Sequence, residues 1–354
     1  MTELAQVLQR RIAQNGPMSV AAFMETCLLH PTHGYYTQQD VFGASGDFVT
    51  APETSQMFGE LLGLCLAQTW QDQGRPDPFL LLELGPGRGT LMSDILRATS
   101  GVKGFHAAMR LNLFEASHKL IAEQKQNLKI YEPTWLKTLT DLPKLPLFCI
   151  ANEFFDALPI HQYQRKGDAW LERQIGLSDG VLSIGLKKNP SVIPQLQKRI
   201  EDTKEGDIVE ISPQAQAIAA QIGTHIAAYK GAALILDYGD WRSLGDTLQA
   251  VKNHQYVGAL ENPGGADLTA HVDFEALAQN AACAHSRLTA QGVLLERLGI
   301  TPRAQALAKN LKGPALEQHV AAHRRLTHPQ EMGTVFKALA LFPEACPPPP
   351  GFEV

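Results

Sequence analysis

The segment 83–90, Glu-Leu-Gly-Pro-Gly-Arg-Gly-Thr, has the residue types of a turn that binds a charged nucleoside ligand. It follows the apolar run 79–84, which is typical of a buried parallel strand. Glycines let the backbone turn sharply and approach a ligand closely, and the N–H groups at a helix N-terminus can bind an anionic group. The pattern therefore predicts a strand, a ligand-binding turn and a helix in succession.

The spacing of the glycines distinguishes between two cofactors. A dinucleotide-binding turn reads Gly-x-Gly-x-x-Gly, whereas this turn reads Gly-x-Gly-x-Gly with an acidic residue two places before it. S-adenosylmethionine (SAM) has no pyrophosphate, and its methionine end carries an ammonium group that Glu83 could favour. The spacing therefore favours SAM over NAD, although Glu83 alone could also be a structural ion-pair partner.

A second carboxylate is expected at the end of the next strand, where it can accept hydrogen bonds from the two ribose hydroxyls. Glu115 ends the predicted strand 110–115 and has this position. Trp135 follows a further strand and is expected to pack on the adenine ring.

The segment 152–159, Asn-Glu-Phe-Phe-Asp-Ala-Leu-Pro, follows the predicted strand 145–151. In a doubly wound sheet, ligands lie at the carboxyl ends of the strands beside the switch point. Glu153 or Asp156 could hold a guanidinium group through two hydrogen bonds, orient a nitrogen lone pair and take up its proton. The alternative is structural, with Asn152 capping a helix and the two phenylalanines in the core.

Strands that alternate with helices predict βαβ units, so the fold class is α/β with a doubly wound, mostly parallel sheet. The predicted strands are 79–84, 110–115, 145–151, 232–237 and 335–341, and the predicted helices are 3–13, 20–29, 55–73, 90–97, 118–126, 272–284 and 302–325.

The region 161–211 interrupts this alternation with two hairpin turns and is expected to be an antiparallel insertion. A chain of 354 residues is long for one core. We expect residues 1–75 to form an N-terminal helical cap with an active-site loop, and residues 76–354 to form the α/β domain that carries the insertion.

Composition and charge argue against several classes of protein. A formal net charge of −5 disfavours nucleic-acid binding, which depends on basic residues that contact phosphates. No apolar run approaches the roughly 18 residues that span a bilayer, so membrane insertion is not expected. The five cysteines form no Cys-x-x-Cys pair, so neither a disulfide framework nor a metal site is predicted. The N-terminus resembles no targeting segment, which favours either a cytoplasmic location or a mature form of the protein.

Eight short markers occur in one order along nearly the whole chain, at 30–36, 46–50, 58–60, 83–90, 152–159, 237–239, 267–274 and 332–333. With these markers the chain is identified as a member of the MidA-type SAM-dependent methyltransferases, formerly a domain of unknown function. That family includes the mitochondrial methyltransferase that assists the assembly of respiratory complex I.

The resemblance implies a class I methyltransferase fold with an N-terminal cap, SAM as cofactor, and methylation of an arginine in a partner protein, such as a subunit of complex I. It also implies that residues 46–50 close over the cofactor. The cofactor-binding residues expected on these grounds are Glu83, Gly85, Pro86, Gly87, Gly89, Thr90, Glu115, Asp47, Phe48, Thr50 and Trp135. The expected catalytic residues are Asn152, Glu153, Asp156 and His271.

Several alternatives remain open. His271 forms a polar pair with Asp273 at a predicted helix start, while Asp267 and Thr269 are explained as a helix cap. A small-molecule O- or N-methyltransferase would favour an apolar cleft over paired carboxylates, and a non-catalytic assembly protein would tolerate loss of the glycine turn. Ala51 and Thr54 stand where the family pattern has Ser and Ile, which leaves the substrate preference of the cap open. A homodimer is a further expectation.

Overall fold

The computed structural model of the chain describes residues 2–38 and 50–354. In chain order, the helices are α1 (Glu3–Asn15), α2 (Val20–Leu29), α3 (Tyr35–Gln38), α4 (Ala51–Thr54), α5 (Gln56–Asp72), α6 (Thr90–Thr99), α7 (Phe105–Ala108), α8 (His118–Asn127), α9 (Pro194–Gln197), α10 (Pro213–Tyr229), α11 (Phe274–Asn280), α12 (Gln291–Arg297), α13 (Ile300–Ala308), α14 (Pro314–Thr327) and α15 (Met332–Val335).

The strands are β1 (Met18–Ser19), β2 (Phe79–Leu84), β3 (Met109–Phe114), β4 (Thr134–Leu136), β5 (Leu147–Asn152), β6 (His161–Lys166), β7 (Ala169–Ser178), β8 (Val181–Leu186), β9 (Ile208–Ile211), β10 (Gly231–Asp240), β11 (Gln249–Lys252), β12 (Gln255–Val257), β13 (Asp267–Thr269), β14 (Val272–Asp273), β15 (Ala284–His285), β16 (Thr289–Ala290) and β17 (Phe336–Phe342).

The described residues form two compact units. The first comprises 2–38, 156–215 and 240–273, and the second comprises 50–155, 216–239 and 274–354. The expected boundary at residue 75 coincides with no boundary of these units.

Helix α5 belongs to the second unit because it packs closely on α6. A Cβ atom added at Gly59 would lie 2.7 Å from the Cβ atom of Asp94, and one added at Gly63 would lie 2.9 Å from the Cα atom of Ile95. Two glycines one turn apart on α5 therefore allow the backbones of the two helices to approach.

The second unit contains a sheet in which β10, β5, β2, β3 and β4 lie side by side in parallel. Strand β17 pairs antiparallel with β10, and β15 and β16 pair with β17. The chain proceeds from β2 through β3 to β4 on one side and then adds β5 and β10 on the other, so the order reverses between β2 and β5. Every residue of β2 and β5 is buried, which explains their continuous apolar runs. The doubly wound, mostly parallel sheet is confirmed.

The first unit contains an antiparallel sheet in the order β1, β7, β6, β9, with β8 paired to β7. Its hairpin turns contain left-handed residues, with φ +59° at Gly167, +50° at Asp179 and +77° at Gly180. The antiparallel insertion is therefore confirmed. Strands β12, β11 and β13 form a second small sheet of this unit.

The N-terminal helices pack within the same unit as the insertion. Ser19 caps α2, since its hydroxyl accepts the N–H of Ala22 at 3.1 Å. Leu8 of α1 and Phe23 of α2 share one buried core with Ile175 of β7. Helices α1 and α2 thus belong to the same compact unit as the predicted insertion.

The helical region expected over 302–325 consists of two helices, because Gly313 has φ +56° and Pro314 then begins α14. Two other local predictions are wrong. The helix expected over 272–284 is only α11, seven residues long. Asp267 and Thr269 cap no helix, because both lie buried in β13.

No helix within residues 2–38 and 50–354 has the length and apolar character required to cross a membrane. Over the same residues, no group of three or more histidine, cysteine or acidic side chains is arranged to hold a metal ion.

Candidate active site

The turn after β2 is built from left-handed glycines. The φ angles are +62° at Gly85, +53° at Gly87 and +82° at Gly89, in the region that side chains disfavour. The N–H of Gly85 donates to the carbonyl of Phe114 at 2.9 Å, which ties the turn to the end of β3. A Cβ atom at Gly85 would lie 2.8 Å from Cδ2 of Phe154. The turn therefore requires glycine at position 85 for conformation and for space.

Glu83 is a buried carboxylate at the end of β2, with 2% of its surface exposed. It accepts the backbone N–H of Met92 in the first turn of α6, while its Oε2 atom has no hydrogen-bond partner among the described residues. Burial, reinforced by the negative charge of Glu115, raises the pKa of Glu83 to about 8. A cationic group next to Oε2 would restore the ionised form, so the site fits the ammonium group of SAM.

Glu115 lies directly after β3 and is half-buried. Its Oε1 atom accepts the N–H of Ser117 at 2.8 Å, and its Oε2 atom accepts Nε2 of Gln124 at 3.2 Å. Burial raises its pKa, and the hydrogen bonds from Ser117, Gln124 and the backbone N–H of Ala116 oppose that rise. A carboxylate held through both oxygens keeps further lone pairs to accept the hydroxyls of a ribose.

Gln124 of α8 is a site residue that the sequence reasoning did not identify. It is fully buried, and its Nε2 atom also donates to the carbonyl of Gly87 at 2.7 Å. Its Oε1 atom accepts Nε1 of Trp135 at 2.7 Å. Trp135 lies within β4 rather than after it, with Nζ of Lys125 5.4 Å from its ring centroid. Its predicted packing on the adenine stays a prediction.

The end of β5 carries Asn152 and Glu153. Glu153 has φ +51°, a left-handed conformation that is costly for a residue with a side chain. Its Oε1 atom accepts the N–H of Ala51 at 3.3 Å and Nδ2 of Asn152 at 3.1 Å. No helix begins within residues 153–160, so the alternative that Asn152 caps a helix is wrong.

Asp237 of β10 holds the backbone after β5, although in the sequence it was only a family marker. It is fully buried, and its Oδ2 atom accepts the N–H groups of Phe154 at 3.2 Å and Phe155 at 2.9 Å. Its Oδ1 atom accepts the N–H of Tyr238 at 2.9 Å. One carboxylate therefore fixes the two residues that follow Glu153.

Strand register places two of the predicted residues on one face of the sheet. Glu83 of β2 is opposite Ile150 of β5, and Asn152 lies two residues beyond Ile150. Side chains two apart in a strand share a face, so Glu83 and Asn152 do as well. Oδ1 of Asn152, like Oε2 of Glu83, lacks a hydrogen-bond partner within the described ranges. These two buried acceptors suit a ligand that brings hydrogen-bond donors.

The remaining cofactor predictions have different outcomes. Thr90 begins α6, and its hydroxyl donates to Oε1 of Glu53 at 2.6 Å. Pro86 is buried within the turn, and Thr50 lies immediately before α4. Asp47 and Phe48 lie outside the described residues.

Two predicted catalytic residues belong to the first unit. Asp156 is buried, and its carbonyl accepts the N–H of Ala270 at 2.9 Å. His271 is exposed, and its N–H donates to Oγ1 of Thr247 at 2.8 Å. The structure thus brings together Glu83, the glycine turn, Glu115, Asn152 and Glu153 in the second unit, whereas Asp156 and His271 lie in the first.

Comparison with known proteins places this chain in a family. A family model of S-adenosyl-L-methionine-dependent methyltransferases, Methyltransf_28, matches residues 61–294. The mitochondrial protein arginine methyltransferase NDUFAF7 of Xenopus tropicalis is 35% identical, over 97% of this chain and 87% of its own length. The Homo sapiens protein of the same name is 33% identical, over 97% of this chain and 84% of its own length.

A solved structure supports the same assignment. A protein from Burkholderia thailandensis, solved with bound S-adenosylhomocysteine, matches this chain with a TM-score of 0.83. The two sequences are 26% identical, and the match covers 98% of this chain and 93% of that one. The NAD alternative is therefore wrong, since the cofactor is SAM and the fold is that of the class I methyltransferases. With the family model matching most of the chain, this protein belongs to the S-adenosyl-L-methionine-dependent methyltransferases and is an enzyme.

Proposed function

We propose that this methyltransferase transfers a methyl group to an arginine side chain of a partner protein. The proposal is supported by relatives named protein arginine methyltransferase that are 33–36% identical over 93% or more of this chain. The observation that carries it is the carboxylate of Glu153, held in a fixed direction at the carboxyl end of β5. That the partner protein is a subunit of respiratory complex I stays a prediction. That this protein forms a homodimer also stays a prediction.

The residues after β2 and β3 would hold the cofactor. Glu83 would accept hydrogen bonds from the ammonium group, because its Oε2 atom is buried without a partner in the described part of the chain. Glu115 would accept the ribose hydroxyls. Gly85 and Gly87 would let the backbone approach the ligand. The proposal also keeps a cofactor-binding role for the other residues that the sequence predicted, namely Pro86, Gly89, Thr90, Thr50, Asp47, Phe48 and Trp135.

Bound SAM supplies a methyl group on a positively charged sulfur that leaves as a neutral thioether. The protein therefore needs no strong acid, and its task is to position the attacking nitrogen and to accept a proton. Glu153 would accept hydrogen bonds from the guanidinium, direct one nitrogen towards the methyl group and take up the proton that this nitrogen loses. Catalytic roles for Asn152, Asp156 and His271 also remain proposals.

The substitution Glu153→Gln tests this role. The amide keeps the shape and one acceptor oxygen but cannot take up a proton, so methyl transfer should fall about 100-fold while SAM affinity changes less than about twofold. Transfer is measured with radiolabelled SAM and a lysate from cells that lack the enzyme, followed by hydrolysis and identification of methylarginine. SAM affinity is measured by calorimetry.

Glu344→Gln is the matched control, because Glu344 is an exposed carboxylate of the same unit and should leave both quantities unchanged. Unchanged turnover in Glu153→Gln would contradict the catalytic role. Label recovered on an amino acid other than arginine would contradict the substrate class.

A further inference from the structure

We propose that Gln124 is a positioning residue of the cofactor site, one that joins the glycine turn, the predicted ribose carboxylate and Trp135 into a single hydrogen-bonded unit. The inference rests on the proposed placement of SAM at residues 83–115. Gln124 itself would act through the groups that it holds.

The side-chain amide of Gln124 has its two donors and its acceptor engaged by three different segments. Nε2 donates to the carbonyl of Gly87 at 2.7 Å and to Oε2 of Glu115 at 3.2 Å, and Oε1 accepts Nε1 of Trp135 at 2.7 Å. A reversed amide would place its oxygen against two acceptors, so one orientation is strongly favoured. Because Gln124 is fully buried, water cannot replace any of these partners.

Helix α8 contacts the turn through a second residue one helical turn further along. Nδ2 of Asn127 donates to the carbonyl of Arg88 at 2.9 Å, so two successive carbonyls of the turn face α8. The C=O and N–H of a trans peptide point in opposite directions. Holding the carbonyl of Gly87 on Gln124 therefore directs the N–H of Arg88 away from α8. The orientation of the turn thus depends on Gln124.

Gln124 also limits the freedom of Glu115. The carboxylate is held at Oε1 by the N–H of Ser117 and at Oε2 by Gln124, which fixes its rotamer. Without Gln124, the carboxylate would be held only by the N–H groups of Ala116 and Ser117, its own neighbours in the chain, and would lose its tie to α8. A ligand that contacts both the turn and Glu115 would then have to order both on binding, which weakens affinity.

The experiment is a calorimetric titration of SAM and of S-adenosylhomocysteine into the full-length protein and its variants. Gln124→Met removes all three hydrogen bonds at similar volume and should raise Kd about tenfold, the effect of roughly one lost hydrogen-bond partner to a charged group. Gln291→Met is the matched control, because Gln291 is also fully buried in the second unit and donates to the carbonyl of Leu326 at 3.0 Å. It should lower the melting temperature without changing Kd.

A pH profile of Gln124→Glu separates positioning from packing. The introduced carboxyl has the shape of glutamine, but when ionised it places negative charge against Glu115 and a turn carbonyl. When protonated it can donate one hydrogen bond again. At pH 8 the Kd of Gln124→Glu for SAM should be about 100 times that of the native protein, and at pH 6 it should be about ten times that of the native protein. A ratio that does not change with pH would overturn the positioning role, and this variant remains testable if Gln124→Met does not fold.

Glu115→Ala, titrated in parallel, distinguishes a failure of the inference about Gln124 from a failure of the proposed cofactor site. If Glu115→Ala loses affinity while Gln124→Met binds SAM within about twofold of the native protein, the inference about Gln124 is wrong. If both variants bind as the native protein does, the proposed cofactor site is itself wrong. If both lose affinity and Gln291→Met does not, the positioning role is supported.

Discussion

Glu83 and Glu153 lie at the ends of neighbouring parallel strands, yet the surroundings of the two carboxylates differ. Glu83 lies within β2, buried, with a raised pKa and with Oε2 lacking a partner among the described residues. Glu153 lies just beyond β5 in a left-handed conformation, and its Oε1 atom receives the N–H of Ala51 and the amide of Asn152.

This difference shows two ways to prepare a carboxylate for a cation. At the end of β2, burial leaves a negative charge unfavourable until a ligand brings the opposite charge. At the end of β5, backbone strain and two hydrogen bonds fix the direction of the carboxylate before any ligand arrives. The first arrangement suits tight binding of a small cationic cofactor, and the second suits orientation of a reacting group.

The largest expected effect comes from Gly85, which lies directly after β2 and packs against Phe154 after β5. Gly85→Ala would place a Cβ atom 2.8 Å from the ring of Phe154 in a residue with φ +62°, so the turn and the segment after β5 would both shift. SAM affinity and methyl transfer should each fall about 100-fold, as expected for reacting groups displaced by about 1 Å. Calorimetry and the methylation assay measure the two effects.

Gly101→Ala is the control, since a Cβ atom there would have no neighbour within 4 Å. It should behave as the native protein. Loss of transfer with unchanged SAM affinity in Gly85→Ala would show that the two strand ends are not coupled through this glycine.

A smaller effect, confined to the end of β5, is expected for Asp237→Asn. The amide cannot accept at both of its ends, so either the N–H groups of Phe154 and Phe155 or that of Tyr238 would lose a partner. Methyl transfer at saturating SAM should fall about 30-fold through misorientation of Glu153, with Kd for SAM unchanged. Asp141→Asn, at an exposed position, serves as the control. A rise in Kd as large as the fall in turnover would remove the distinction between the two ends.

A pH dependence is expected at the end of β2. The pKa of Glu83 is about 8 in the ligand-free protein, so below that pH the carboxyl is protonated and must ionise to bind an ammonium group. SAM affinity should therefore rise by up to about tenfold per pH unit between pH 6 and pH 8, with release of a proton. Titrations in two buffers of different ionisation enthalpy measure that proton.

Glu83→Gln should abolish the proton release. The same raised pKa predicts that the free energy of unfolding of the SAM-free protein falls as pH rises from the ordinary value near 4.5 to about 8, because the folded state retains the proton that the unfolded state loses. An affinity that is constant from pH 6 to pH 8, without proton release, would show that Glu83 is already ionised before SAM binds.

The features that could be predicted from the sequence are those with a local cause. The apolar runs of β2 and β5 reflect strands buried on both faces, and the glycines at 85, 87 and 89 reflect backbone angles that other residues disfavour. The hairpin turns of the insertion were predicted for the same reason as the glycine turn, since Gly167 and Gly180 also have positive φ angles.

The tertiary structure was needed for the residues that hold these local features in place. The partners of the decisive hydrogen bonds are far apart in the chain: Gln124 and Gly87 by 37 positions, Asp237 and Phe154 by 83, Ala51 and Glu153 by 102. A bond between a side chain and a distant backbone group leaves no periodicity in the sequence. Whether a buried glutamine or aspartate meets a turn depends on which strands become neighbours, and that follows from the packing of the whole sheet.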